Sequence, residues 1–133
     1  MKTKLLTSFL LVVGLVMICA PVFAHHGSRI SYDLTKPVTM KGTVTSFEWQ
    51  NPHVFLSYDV KDASGAVKNW GIELAENPKM LMTTRGWTKD TLKPGDEVTA
   101  TLFASKAGTP RGILSKLVFH DMMIYENNMR GAE

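Results

Sequence analysis

Four histidines, His25, His26, His53 and His120, are the side chains in this sequence best suited to chemistry near neutral pH. Imidazole titrates in that range, and its neutral form is the commonest metal ligand. His25 and His26 are adjacent and directly follow Pro21-Val22-Phe23-Ala24. A cut after Ala24 would give His25 a free α-amine beside its imidazole, and those two nitrogens can close a chelate ring on one metal ion. His26 would then stand at position two, where its imidazole can join the amine and the intervening amide nitrogen. Nitrogen-rich sites of this kind suit Cu(II) best among the divalent ions. Zinc fits if a third nitrogen or a carboxylate joins. His53, at the start of a strand pattern and directly after Asn51-Pro52, is the natural third ligand. The plainer alternative is a solvated pair at the terminus and a hydrogen-bonded structural histidine at 53. His120 reads as structural or exposed.

Aromatic residues offer a second kind of site. Phe47, Trp49, Phe55, Trp70 and Trp87 can line a face on which a ligand stacks. Trp70 alternates in phase with Ile72 and Leu74 and reads as core, whereas Phe55 falls out of phase with its strand's apolar set. Trp49 and Phe55 are therefore the ligand-binding candidates. Met80, Met82, Met122, Met123 and Met129 carry soft thioether sulfurs that suit Cu(I), but core packing is the reading favoured for them. No G-x-S-x-G, no H-E-x-x-H, no Gly-rich phosphate loop and no carboxylate pair at helical spacing is present. Nothing positive points to an enzyme.

The value of His25 depends on what precedes it. Lys2 and Lys4 open the chain, Leu5 to Ala20 is almost uninterrupted apolar sequence, and Val22 and Ala24 are small residues where a signal peptidase reads. That order is the layout of a cleavable signal peptide over residues 1–24. A membrane anchor needs about 20 apolar residues, and Pro21 and the histidine pair cut this run short, so no transmembrane span is expected in the mature chain. Lipid attachment at Cys19 is disfavoured because Ile18 before it is not small. Export to the periplasm or medium is the expectation. Removal of the leader leaves no cysteine, hence no disulfide and no thiolate ligand. It also leaves 13 basic against 12 acidic residues, a net charge near +1. With no basic run, nucleic acid is not expected as a partner.

The elements that must position these residues follow from periodicity. Residues 25–36 form a polar arm, 37–125 a single domain and 126–133 a polar tail. From Val38 the alternation of Val38, Met40, Gly42 and Val44 predicts a half-buried strand, and Gly42 within it suggests a bulge or bend. Phe47 and Trp49 shift the phase, which fits a bulge before Asn51-Pro52. His53 to Val60 is a second strand, joined by the turn Asp62-Ala63-Ser64-Gly65 to a third over Val67–Leu74. Pro78 near its start and Gly86 past its end punctuate a short helix over Glu76–Arg85. Strands over Val98–Ala104 and Gly112–His120 complete the pattern. Three strands, a helix and two strands predict a mostly β fold, a small five-stranded Greek-key barrel of the oligonucleotide/oligosaccharide-binding (OB) type. A β-sandwich is the competing architecture.

Ala24-His25-His26, Tyr32-Asp33, Lys36-Pro37-Val38, Gly42-Thr43-Val44, Glu48-Trp49, Asn51-Pro52-His53-Val54, Arg85-Gly86-Trp87 and Leu92-Lys93-Pro94-Gly95-Asp96 together resemble a family of small exported bacterial proteins classed as a domain of unknown function. The resemblance spans His25 to about His120, and it implies export and a single domain but carries no activity. Gly27-Ser28-Arg29 departs from the serine and aromatic that often follow the family's histidine pair. Three functional readings remain: a periplasmic binding module whose candidate ligand is copper, a structural or interaction protein docking on an envelope partner, and a copper-dependent oxidoreductase built on the terminal histidine.

Overall fold

The computed structural model describes residues 31–127. The leader, His25, His26 and Met129 lie outside the described residues. Six strands form one sheet: β1 Tyr32–Glu48, β2 Phe55–Lys61, β3 Val67–Glu73, β4 Glu97–Ser105, β5 Arg111–Phe119 and β6 Met122–Glu126. Their order is β3-β2-β1-β4-β5-β6, and a parallel pairing of β3 with β5 closes the first five into a ring. The helix α1, Pro78–Arg85, lies between β3 and β4. A closed five-stranded ring with its one helix at that place is the OB-type barrel the periodicity predicted.

Closure depends on the length of β1. Its 17 residues pair with β4 over Tyr32–Thr43 and with β2 over Thr43–Glu48. Gly42 sits at this handover. A Cβ there would lie 2.5 Å from the Asp59 carbonyl oxygen and 2.6 Å from Cδ2 of Tyr58, so only glycine lets β1 cross that ring. No bulge falls at Gly42, where pairing with Val98 is continuous. The register shifts instead between Val44 and Ser46, which accounts for the altered phase of Phe47 and Trp49. The strand also starts earlier than its periodicity indicated. Tyr32 pairs with Ser105 ahead of an irregular stretch to Pro37, so part of the polar arm belongs to the sheet.

Inward-facing side chains fill the barrel: Val44, Leu56, Tyr58, Ile72, Leu74, Val98, Ala100, Leu102, Leu114 and Leu117 are all buried. The helix packs Leu81 against this core. Asn77 caps it by accepting from the Met80 amide at 2.9 Å, and Gly86 ends it in the left-handed region at φ 67°. Arg85 then ties α1 to the last strand. It forms a forked pair with Glu76, with Nη2 at 2.8 Å from Oε1 and Nε at 3.3 Å from Oε2. It also donates to the Glu126 carbonyl at 3.0 Å and lies over the Tyr125 ring. The fork raises the Arg85 pKa, against some opposing desolvation.

Strand β6 was not apparent from the sequence. Its hairpin turns through His120 and Asp121, at φ 51° and 59°, where two-residue loops ordinarily carry Asn-Gly or another glycine pair. Tyr125 from β6 completes the core, and burial pushes its hydroxyl pKa up. Met80, Met82, Met122 and Met123 are 47–64% exposed rather than packed in the core. Alternating positions in so short a helix, and a strand at the sheet's edge, cannot bury all four.

Tyr58 is the one buried residue whose polar atom has no hydrogen-bond partner among the described residues. Burial pushes its hydroxyl pKa well above the usual range. A buried unmatched hydroxyl carries a desolvation cost of about 1–3 kcal/mol. Tyr58→Phe is therefore expected to raise stability by about 1 kcal/mol, read as a higher urea midpoint with unchanged slope; a lower midpoint would show that the hydroxyl is matched in solution.

Candidate functional site

Val54, Leu56 and Tyr58 point into the barrel, so Phe55 between them points out, and Ile72 and Leu74 place Glu73 on the same outer surface. Register pairs the two directly, with Glu48 on the other side of Phe55. His53, just ahead of β2, leans against this patch. Its Nδ1 lies 3.3 Å from the Leu74 carbonyl oxygen and 3.4 Å from Glu73 Oε1. Both neighbours accept hydrogen bonds, so Nδ1 is placed to donate toward them while Nε2 lies outside both contacts. The side chains of His53 and Glu73 are 34% and 25% exposed, open enough to meet a ligand.

The second oxygen of the same carboxylate is engaged from another direction. Tyr32 donates its hydroxyl to Glu73 Oε2 at 3.4 Å. Burial raises the Tyr32 pKa, and the Glu73 charge and hydrogen bond add to the rise against the opposing charge of Arg111. Arg111 follows from the β3–β5 closure, where it pairs with Gly71. A Cβ at Gly71 would come 3.3 Å from its guanidinium, so the glycine leaves room for Arg111 to lie close over β3. The site is thus His53, Glu73, Tyr32 and Arg111, with Phe55 beside them.

The aromatic candidates divide. Phe55 belongs to the outer patch, but Trp49 does not share its face. Trp49 is half-buried at 6.0 Å between ring centres from Phe47, which meets Trp87, which meets Tyr125 in the core. Trp87 is buried and Trp70 only partly so. Trp49 and Phe55 therefore do not form one stacking platform. His120 is exposed at the β5–β6 turn, its ring 4.0 Å from that of Phe119, and is remote in sequence register from His53.

Among the described residues no three of His, Cys, Asp and Glu are grouped as a metal would require. The barrel by itself offers His53 backed by Glu73, and a metal would need further ligands from elsewhere. Glu73 carries no motif that marks it in the sequence. The signal for more lay in its alternation between buried Ile72 and Leu74, which put it outside, but its pairing with Phe55 is a register fact. Tyr32 had no such signal, since it preceded the predicted strand.

Fold and site define a small OB-type barrel with a polar cluster on the outer face of β2 and β3. The chain belongs to the Family of unknown function (DUF6152), whose model matches residues 12–115. No curated protein matches it. Among solved structures it is similar to the mitochondrial single-stranded DNA binding protein Rim1 of S. cerevisiae, at 13% identity and a TM-score of 0.40, covering 70% of this chain and 97% of that one. No helix among the described residues is long and apolar enough to cross a membrane.

Proposed function

We propose that this protein is an exported binding module, cut after Ala24, that holds one divalent metal ion through His25, His26 and His53, with Cu(II) the best match. The observation that carries this reading is the orientation of His53. Metal-binding histidines usually donate their second ring N–H to a carboxylate or backbone carbonyl, and His53 Nδ1 has one of each within 3.4 Å. That leaves Nε2 as the available donor atom on a partly exposed ring. The arm supplies the remainder: His26 stands six residues before Tyr32, a reach of roughly 20 Å when extended. An α-amine and three imidazoles are the ligand types that favour copper over zinc. The near-balance of charge in the mature chain supports a small ligand rather than nucleic acid.

Titration of the mature protein with Cu(II) against a competing chelator tests the reading. One tight site per chain is expected, and His53→Ala weakens it while leaving the far-ultraviolet circular dichroism unchanged. Identical binding by the variant would remove His53 from the site.

A second reading is favoured by a different observation. Val67, Met80, Met82, Met122 and Met123 are large apolar side chains more than 45% exposed, and flexible methionines suit adaptable protein contacts. An envelope partner docking there would co-purify equally with wild type and with His25 and His26 both changed to Ala.

A further inference from the structure

We propose that Met80, Met82, Met122 and Met123 are modification sites, surface thioethers that take up oxygen from a peroxide while the barrel stays folded. Exposure in this fold is selective for sulfur. Among the described residues the large apolar side chains left in solvent are Met80 at 47%, Met82 at 55%, Met122 at 64% and Met123 at 52%, with Val38 and Val67 the only others. The four methionines lie on just two elements, α1 and β6. In α1 Leu81 is buried between Met80 and Met82, and in β6 Tyr125 is buried while Ile124 packs against the core. Both elements thus turn hydrocarbon and ring inward and leave the thioethers outside. Met40 on β1 is the contrast, since it packs against the core.

A thioether in solvent is a two-electron reductant toward peroxide. Its sulfur attacks one peroxide oxygen, and the S–O bond forms as the O–O bond breaks. The departing oxygen leaves as hydroxide and takes the proton from the transferred oxygen, so the products are a sulfoxide and water. Sulfur is oxidised, the peroxide is reduced, and neither a metal nor a histidine takes part. A methionine sulfoxide reductase reverses the step, with the oxygen leaving as water while a dithiol is oxidised to a disulfide. Sulfoxides disrupt packing when they form inside a core, but these four side chains are outside it. Other groups hold the backbone that carries them. The Met80 amide donates to Asn77, and the Gly86 amide donates to the Met82 carbonyl at 3.1 Å. Strand β6 is held by buried Tyr125 and by Arg85 on the Glu126 carbonyl.

The test treats the purified protein with hydrogen peroxide, a chelator present to remove trace metal, and follows each methionine by peptide mass. Met80, Met82, Met122 and Met123 are expected to gain one oxygen each, ahead of Met40. The oxidised protein should keep the far-ultraviolet circular dichroism and the thermal midpoint of the untreated one. A variant combining Met80→Leu, Met82→Leu, Met122→Leu and Met123→Leu, swaps of similar volume, should consume one equivalent of peroxide less for each methionine replaced. Oxidation of Met40 as fast as the four would overturn the proposal, as would four thioethers that survive treatment. Unfolding of the oxidised protein, or equal peroxide consumption by the variant and wild type, would overturn it too.

Discussion

Gly42→Ala is expected to destabilise the barrel by roughly 1–3 kcal/mol, the usual cost of forcing an extra methyl group into a packed interior, and by the upper part of that range. Two features set the size of the effect. The new methyl would meet the Asp59 carbonyl oxygen at 2.5 Å, and that atom belongs to the β2 backbone, which cannot retreat without opening the β1–β2 ladder. It would also meet the Tyr58 ring at 2.6 Å, whose surroundings in the core are closed. Thr43→Ala, one residue along on the exposed face, is the control and should stay within about 0.5 kcal/mol of wild type. Urea unfolding of both variants checks the claim; equal midpoints would mean that β1 does not cross Tyr58 so closely.

The same residue shows what the sequence could and could not reveal. Alternation of Val38, Met40, Gly42 and Val44 was sufficient to place a strand, because a half-buried strand must alternate. It could not say why glycine stood there, since the reason is a contact with Tyr58 on another strand. The punctuation of α1 by Pro78 and Gly86 was legible because capping is local chemistry. Strand β6 was not, since His120-Asp121 turns without the glycine that marks such hairpins, and the methionines that follow look like core residues in a list. Within the site, His53 could be singled out from its residue type and its place after Asn51-Pro52. Glu73, which it meets, and Tyr32, which meets Glu73, lie 20 residues after and 21 before it, brought together only by register and barrel closure. Of the residues quoted for the family resemblance, Arg85-Gly86-Trp87 and Gly95-Asp96 are accounted for by a clamp, a cap, a core ring and a turn in which the Lys93 amide donates to Asp96 at 2.8 Å.

Acetylating the α-amine of His25 is expected to weaken Cu(II) binding by more than the roughly 10- to 100-fold lost with a residue that only orients a ligand. The acetyl group takes away a ligand rather than an orienting contact. It turns the basic amine into a neutral amide, which no longer closes a chelate ring with the His25 imidazole. The barrel is unaffected, so thermal midpoint and circular dichroism should match the unacetylated chain. A chelator-competition titration of the two proteins reads the difference directly, and equal affinities would dismiss the amine as a ligand. The comparison also separates the arm's contribution from that of His53, whose replacement leaves the amine in place.

Intact mass of the exported protein, followed by copper analysis of the same sample after exposure to Cu(II) and removal of the excess, tests the central claim most directly. The mass should correspond to a chain that begins at His25, and the sample should retain one copper ion per chain. A chain that begins elsewhere, or one that begins at His25 and retains no copper, would contradict it.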